Sequence, residues 1–212
     1  MVTGVLAPER LEEILRTAAR EFATAGYERA SLNRIIRTCG MSKSSFYHYF
    51  DSKAALFDAV LRAAMGGLAR EVAPPSPAEL SGPGFWDELT RTVERVLEVA
   101  AREDWYADAG RLFYLPDAPV EHSPAARETV GAMRAWLVGV LEVGRSCGAV
   151  RTDLPVALQA TLATDVVQSL DRWSLAHSQE YPDAEARATI GRILTDVLRR
   201  VLATTVEDQP TA

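Results

Sequence analysis

A run of hydroxyl, cationic and aromatic side chains occupies residues 42–50 of this 212-residue chain, in the sequence Ser-Lys-Ser-Ser-Phe-Tyr-His-Tyr-Phe. Serine hydroxyls and lysine ammonium groups bind phosphate oxygens and the edges of bases, and a tyrosine adds a rigid surface with a hydroxyl. We therefore expect this run to contact a nucleic acid. The candidate contacts within it are Ser42, Lys43, Ser44, Ser45, Tyr47 and His48.

Two short helices separated by a tight turn are needed to present these side chains together. Ser31 and Ser42 are each placed to cap the start of a helix. Gly40 supplies the positive φ that a tight turn between two helices requires. The apolar residues of the segment can hold the pair against a preceding helix. This arrangement is a helix-turn-helix, whose second helix enters the major groove of DNA.

The charge distribution favours the same segment, although the formal net charge of the chain is −6. Residues 28–53 carry five basic side chains against two acidic ones, and the only lysines of the chain, Lys43 and Lys53, both lie there. A local basic patch on an acidic protein concentrates phosphate attraction at one place. A solvated surface with chance clustering of charges is the alternative interpretation.

Over about residues 8–60, the sequence resembles the N-terminal domain of TetR-family regulators. The resemblance rests on Leu-Arg-Thr-Ala-Ala-Arg-Glu-Phe-Ala-Thr-Ala-Gly-Tyr, followed by Gly-Met-Ser-Lys-Ser-Ser-Phe-Tyr-His-Tyr-Phe-Asp-Ser-Lys-Ala-Ala-Leu. It implies an all-α fold and a homodimer bound to an operator in double-stranded DNA. It also implies that a set of residues contacts DNA, mostly at phosphates: Ser31, Lys43, Tyr47, His48 and Lys53.

One departure from the family pattern concerns Arg34. This position is usually acidic in the family, and an acid three residues after Ser31 would complete a capping box. An arginine there opposes the helix dipole, but it adds positive charge close to the expected DNA. We therefore include Arg34 among the candidate DNA-binding residues.

Helical periodicity continues through the rest of the chain, and we find no strand pattern of useful length. The fold class expected is all-α, with a helix-turn-helix domain over residues 1–52 and a larger ligand-binding and dimerisation domain over 53–212. Residues 53–73 form the connecting helix. Further helices are predicted near 85–102, 104–114, 124–147, 156–178 and 183–204. The Pro- and Gly-rich stretch 74–84 is predicted to be a loop.

Aromatic residues and interrupting polar groups in the larger domain indicate a small-molecule pocket. Polar side chains interrupt the otherwise apolar helix 156–178, as they do in ligand cavities. The candidate ligand-binding residues are Trp105, Tyr106, Phe113, Trp136, Asp165 and Gln168. Ordinary core packing, solvent exposure and dimer contacts are the alternatives for these residues. The apolar stripe of the last helix, from Ile190 to Leu202, is predicted to form the dimer interface.

Several other classes of protein are disfavoured. The sequence contains no Gly-x-Ser-x-Gly, phosphate-binding glycine loop or Cys-x-x-Cys, and no helical metal-ligand pair surrounds its three histidines. We therefore expect no enzyme, no cofactor and no metal. Without a visible secretory signal or membrane span, and with two cysteines, a cytoplasmic location is expected. The function expected is a repressor released from a palindromic operator by a small effector. The alternatives are a constitutive regulator or activator without a ligand, and a protein-interaction module with a vestigial helix-turn-helix.

Overall fold

The computed structural model describes residues 6–177 and 184–204, and their regular structure is helical apart from one isolated bridge between Val150 and Ala203. The α-helices are α1 Pro8–Ala25, α2 Leu32–Thr38, α3 Lys43–Tyr49, α4 Lys53–Val72, α5 Phe85–Arg102, α6 Asp104–Arg111, α7 Pro124–Ser146, α8 Val156–Ala176 and α9 Ala184–Leu202. The predicted all-α fold is confirmed. No described helix is long and apolar enough to cross a membrane.

Two local details differ from the expectations. The helix expected over 104–114 ends at Arg111 and tightens into a 3-10 turn over Leu112–Tyr114. The loop 74–84 contains a 3-10 turn, Pro77–Leu80, which starts with a local capping box. In that box the Ser76 amide donates to Glu79 Oε2 at 2.7 Å. Both 3-10 turns contain only three or four residues. Segments this short are too brief to show a hydrophobic period, so the sequence pattern does not detect them.

Helix α1 forms because an apolar stripe repeats at helical spacing, and Pro8 is suited to its first turn. Ile14, Ala18 and Phe22 in this stripe are fully buried. Gly26 ends the helix, and its amide donates to Phe22 O at 2.9 Å. Its φ of +79° has the sign required for a glycine cap, but its ψ of 160° is extended rather than left-handed helical.

The chain folds into two compact units. Unit 1 consists of Met1–Leu68 and Glu103–Thr129, and unit 2 of Ala69–Arg102 and Val130–Ala212. Helix α6 therefore belongs to the same unit as the helix-turn-helix, and it packs against α1. The functional boundary predicted between residues 52 and 53 stays a prediction, because compactness does not report which segment binds a ligand.

Each unit has its own apolar core. In unit 1 the rings of Phe22, Tyr27 and Phe57 cluster with centroids 5.4–5.8 Å apart. In unit 2 helix α5 packs along α9, which also packs against α8. The buried core of unit 2 includes Leu80, Phe85, Trp86, Leu89, Val140, Leu141, Val150, Ala160, Ala163, Leu198 and Leu202. These cores fix the helices that carry the candidate sites.

Candidate nucleic-acid interface

The two helices of the helix-turn-helix begin at the serines that the sequence indicated. Ser31 Oγ accepts the Arg34 amide at 3.3 Å, and Ser42 Oγ accepts the Ser45 amide at 3.1 Å. Gly40 has φ +59°, which confirms the left-handed residue predicted for the turn. Each cap satisfies a helix amide that has no partner inside the helix, so the two short helices have defined starting points.

Helix α3 buries one face and leaves the other open. Phe46 is fully buried, and Phe50 packs beside it with ring centroids 5.3 Å apart. The opposite side is exposed and carries Lys43, Ser44, Ser45, Tyr47 and His48. Tyr47 is 49% exposed, which is high for a large aromatic residue. The structure thus brings five of the nine candidate DNA-binding residues together on one accessible helix.

The charge around this surface has one sign. The 22 residues from 29 to 50 contain four basic side chains, together with His48, and no aspartate or glutamate. A segment of this kind attracts phosphate, although one of its cations, Arg34, pairs with Glu21 of α1. Ser42, the cap of α3, is exposed at the edge of the surface, and its hydroxyl also lies 3.0 Å from Ser44 Oγ.

Lys53 occupies a more constrained position than the resemblance implies. Its Nζ donates to the carbonyl oxygens of Tyr27 and Glu28, each at 2.9 Å, and lies 5.2 Å from the centroid of the Tyr27 ring. The ammonium group has three hydrogens, so these two bonds leave one for another acceptor. The structure therefore assigns Lys53 a role in holding the turn after α1, and its contact with phosphate stays a prediction.

Arg34 and Ser31 share a partner that sequence reasoning missed. The carboxylate of Glu21, on α1, accepts the Ser31 amide at 2.9 Å through Oε1 and the Arg34 guanidinium at 3.2 Å through Oε2. The Glu21 side chain is only 9% exposed, whereas that of Arg34 is 58% exposed. A signal was available, because Glu21 follows Ile14 by seven residues and Ala18 by three and so falls on the apolar stripe.

Two further polar contacts fasten unit 1 and were also missed. The Arg10 guanidinium donates to Cys39 O at the end of α2. Asp117, in the segment after α6, accepts the Glu28 amide at 3.0 Å and thereby holds the turn between α1 and α2. Both contacts join residues distant in sequence, and neither has a local pattern that would reveal it.

The candidate ligand-binding residues are distributed over both compact units. Trp105, Tyr106 and Phe113 belong to unit 1, where the first two are buried with ring centroids 5.5 Å apart. The other three belong to unit 2. There Trp136 Nε1 donates to Pro75 O at 2.8 Å, Asp165 is exposed on α8, and Gln168 is half-buried. Their assignment to one pocket stays a prediction.

Each unit has a cleft, and neither cleft gathers the candidate ligand set. In unit 1 a cleft of about 730 Å³ is lined by α1, α2 and α6 and includes Trp105 alone of that set. In unit 2 a cleft of about 310 Å³ is lined mainly by Trp86, the turn after α7 and the end of α9. Among the residues that the structure describes, there is no cluster of side chains able to hold a metal ion.

A helix-turn-helix with this geometry defines a class of DNA-binding regulators. Residues 14–60 match the sequence profile of the bacterial regulatory proteins of the tetR family. This match, together with the relatives and solved structures described below, supports a TetR-family transcriptional regulator. The resemblance to TetR-family regulators that the sequence indicated is therefore confirmed.

Curated relatives of the chain are transcriptional repressors. The chain is 33% identical over 98 residues to the transcriptional repressor AcnR of Corynebacterium diphtheriae, an alignment covering 46% of this chain and 45% of AcnR. It thus spans about half the length of that relative. It is 26% identical over 172 residues to the repressor KstR2 of Rhodococcus jostii, covering 77% of this chain and 79% of KstR2.

Most of the chain shares its fold with solved structures. The structure of the transcriptional regulator FadR from Bacillus subtilis in complex with stearoyl-CoA superposes with a TM-score of 0.68 at 16% identity. The superposition covers 88% of this chain and 96% of FadR. At that identity the likeness establishes the fold, a helix-turn-helix followed by a larger helical region.

Proposed function

We propose that this chain is a transcriptional repressor that binds a palindromic operator as a homodimer and leaves it when a small organic effector binds. The observation that carries the DNA-binding part is the exposed face of α3, which lies within 22 residues free of acidic side chains. The names of its relatives AcnR and KstR2 support repression. The proposed contacts are those on α3, its cap Ser42, and Ser31 and Lys53 at the edges.

DNA binding is tested by fluorescence anisotropy with the DNA that flanks the gene for this protein. We expect Lys43→Ala to weaken binding to all sequences and to reduce the salt slope by about 1, because one phosphate contact is lost. The matched control is Arg95→Ala, which removes one exposed cation from α5, outside the helix-turn-helix. An equal loss in both variants would contradict a specific role for α3.

The predicted interface stripe of the last helix is available only in part, because Ile190, Leu198 and Leu202 are buried within the chain. The proposed homodimer is supported instead by exposed apolar side chains on the last two helices. Leu158 and Trp173 on α8 are 44% and 40% exposed, and Ile193 and Val197 on α9 are 48% and 37% exposed. Large apolar residues that remain in water on adjacent helices mark an association surface. We expect Ile193→Asp to yield monomers in analytical ultracentrifugation. Asp196→Ala, an exposed change on the same helix, should leave the dimer intact.

The effector part rests on the predicted pocket and on the FadR structure, which shows stearoyl-CoA bound to a related fold. An effector releases DNA only if it binds the released state more tightly than the DNA-bound state. The test is the same anisotropy assay with a panel of metabolites. Asp165→Ala and Gln168→Ala should alter the response to the active compound and leave operator affinity unchanged.

The alternatives give different outcomes in these assays. A constitutive regulator or activator binds the operator with no response to any metabolite, and a reporter gene distinguishes repression from activation. A protein-interaction module with a vestigial helix-turn-helix binds no operator. The exposed, acid-free surface of α3 favours DNA binding over the last alternative.

A further inference from the structure

The start of α2 lacks a local carboxylate partner for its first amide, and it carries a cation at an electrostatically unfavourable position. In a capping box, the residue three positions after the cap returns a carboxylate to the cap's backbone amide. Here that residue is Arg34, which cannot accept a hydrogen bond and which places positive charge at the positive end of the helix. The helix nevertheless starts at Ser31 with its cap bond formed.

Glu21, on α1, supplies the missing carboxylate and also pairs with the cation. Its Oε1 accepts the Ser31 amide at 2.9 Å, which is the bond that the missing acid at position 34 would make. Its Oε2 accepts the Arg34 guanidinium at 3.2 Å, so the unfavourable cation is neutralised by the same group. A carboxylate that is only 9% exposed needs such partners, because an unpaired buried charge is costly.

We infer that Glu21 is a positioning residue for DNA binding, which supplies from α1 the carboxylate that starts α2 and holds Arg34 against α1, away from DNA phosphate. The inference rests on the proposed DNA binding, since α2 sets the position of the recognition helix α3. It reassigns Arg34 from a candidate DNA contact to the partner of Glu21. It also explains how this chain accommodates an arginine where the family usually has an acid.

The first test measures hydrogen exchange of individual backbone amides by NMR in the full-length protein. We expect Glu21→Ala to speed exchange of the Ser31 amide about tenfold, because losing a capping partner changes a local equilibrium by about that factor. The Ser45 amide is capped locally by Ser42 and serves as the internal control. Unchanged exchange at Ser31 would overturn the inference, whether or not the protein binds DNA.

The second test is a double-mutant cycle on operator affinity. Glu21→Ala removes the carboxylate, and Arg34→Glu alone places two carboxylates side by side; we expect each to weaken binding about three- to tenfold. The double variant Glu21→Ala/Arg34→Glu should recover affinity to within about twofold, because Glu at position 34 completes a local capping box. Additive losses in the double variant would contradict the inference. Glu21→Gln, which removes the charge with nearly unchanged shape, can take the place of Glu21→Ala in the cycle.

The third test asks where the Arg34 guanidinium goes. We expect Arg34→Gln to leave the salt slope of operator binding unchanged, whereas Lys43→Ala reduces it by about 1. A reduction of about 1 in Arg34→Gln would show a phosphate contact and overturn the reassignment. If the wild-type chain bound no DNA, the proposed function would fail, and the exchange at Ser31 would still decide the role of Glu21.

Discussion

The two compact units differ in the polar groups that hold their helices in place, although unit 1 also uses the cations Arg10 and Lys53. In unit 1 three carboxylates, those of Glu21, Asp58 and Asp117, accept backbone amides from elements distant in the sequence. In unit 2 the corresponding polar cluster is built on a cation. The Arg145 guanidinium donates to Leu154 O at 2.7 Å and to Oε1 of the buried Gln159 at 2.9 Å.

This contrast has a consequence for the response of each unit to acid. Carboxylates lose their charge on protonation, whereas the guanidinium of arginine stays charged at any pH at which proteins fold. Unit 2 also depends on close apolar packing, which does not titrate. We therefore expect acid to weaken the Asp58 contacts of unit 1, whereas the Arg145 contacts of unit 2 keep their charge.

The largest expected effect is on packing in unit 2, at Gly144 in α7. A methyl group there would lie 2.5 Å from Val150 Cγ2 and 2.8 Å from Phe85 Cζ. Overpacking of this kind costs roughly 1–3 kcal/mol. We expect Gly144→Ala to lower the free energy of unfolding in urea by about that amount.

The matched control lies in the same helix. A methyl group at Gly131 would meet no atom within 4 Å. Gly131→Ala should therefore leave stability unchanged or raise it by up to about 1 kcal/mol, because alanine favours helix more than glycine does. Equal losses of unfolding free energy in the two variants would mean that the close contact at Gly144 does not cause the destabilisation.

A smaller effect is expected at Asp58, the acid-sensitive contact of unit 1. Its Oδ1 accepts the Ser123 hydroxyl at 2.7 Å and the Ala125 amide at 2.8 Å, at the start of α7. Partial burial alone would raise the pKa of Asp58, but these two hydrogen bonds and Arg62 together lower it below its ordinary value. The lowered pKa means that the carboxylate stabilises the fold.

The sign of the pH dependence follows from that shift. A carboxyl whose pKa is lower in the folded state stabilises the protein above its unfolded-state pKa and loses this effect as pH falls through the folded-state pKa. We expect Asp58→Asn to cost about 1–2 kcal/mol in urea denaturation at pH 7, and less at about pH 3. Glu142→Gln, which removes an exposed carboxylate from α7 in unit 2, should change stability little at either pH. A pH-independent loss in Asp58→Asn would show that the charge of Asp58 is irrelevant.

Sequence reasoning located the elements of both units but not the contacts that fasten them. The caps Ser31 and Ser42 were predictable because a cap bonds an amide three residues away, within the same local pattern. The Glu21–Ser31 and Asp117–Glu28 contacts join residues 10 and 89 positions apart, and only the folded chain brings them together. For the ligand pocket the sequence supplied residue types without a pattern fixing which side of a helix they occupy.

The smallest expected effect separates the two lysines of the helix-turn-helix. Lys43 is exposed on α3, whereas Lys53 donates two hydrogen bonds to carbonyl oxygens of the turn after α1. Both are candidate phosphate contacts, so Lys43→Ala and Lys53→Ala should each reduce the salt slope of operator binding by about 1. The variants should differ in stability, because only Lys53→Ala removes bonds made in the free protein.

We expect Lys53→Ala to lower the free energy of unfolding by about 1 kcal/mol and Lys43→Ala to leave it unchanged. Urea denaturation without DNA measures this difference, and the anisotropy titration over a range of salt concentrations measures the slopes. A stability loss in Lys53→Ala with an unchanged slope would mean that its third hydrogen reaches no phosphate. Lys53 would then act as Glu21 does, by fixing the turn and the start of α2 and so the helix that meets DNA.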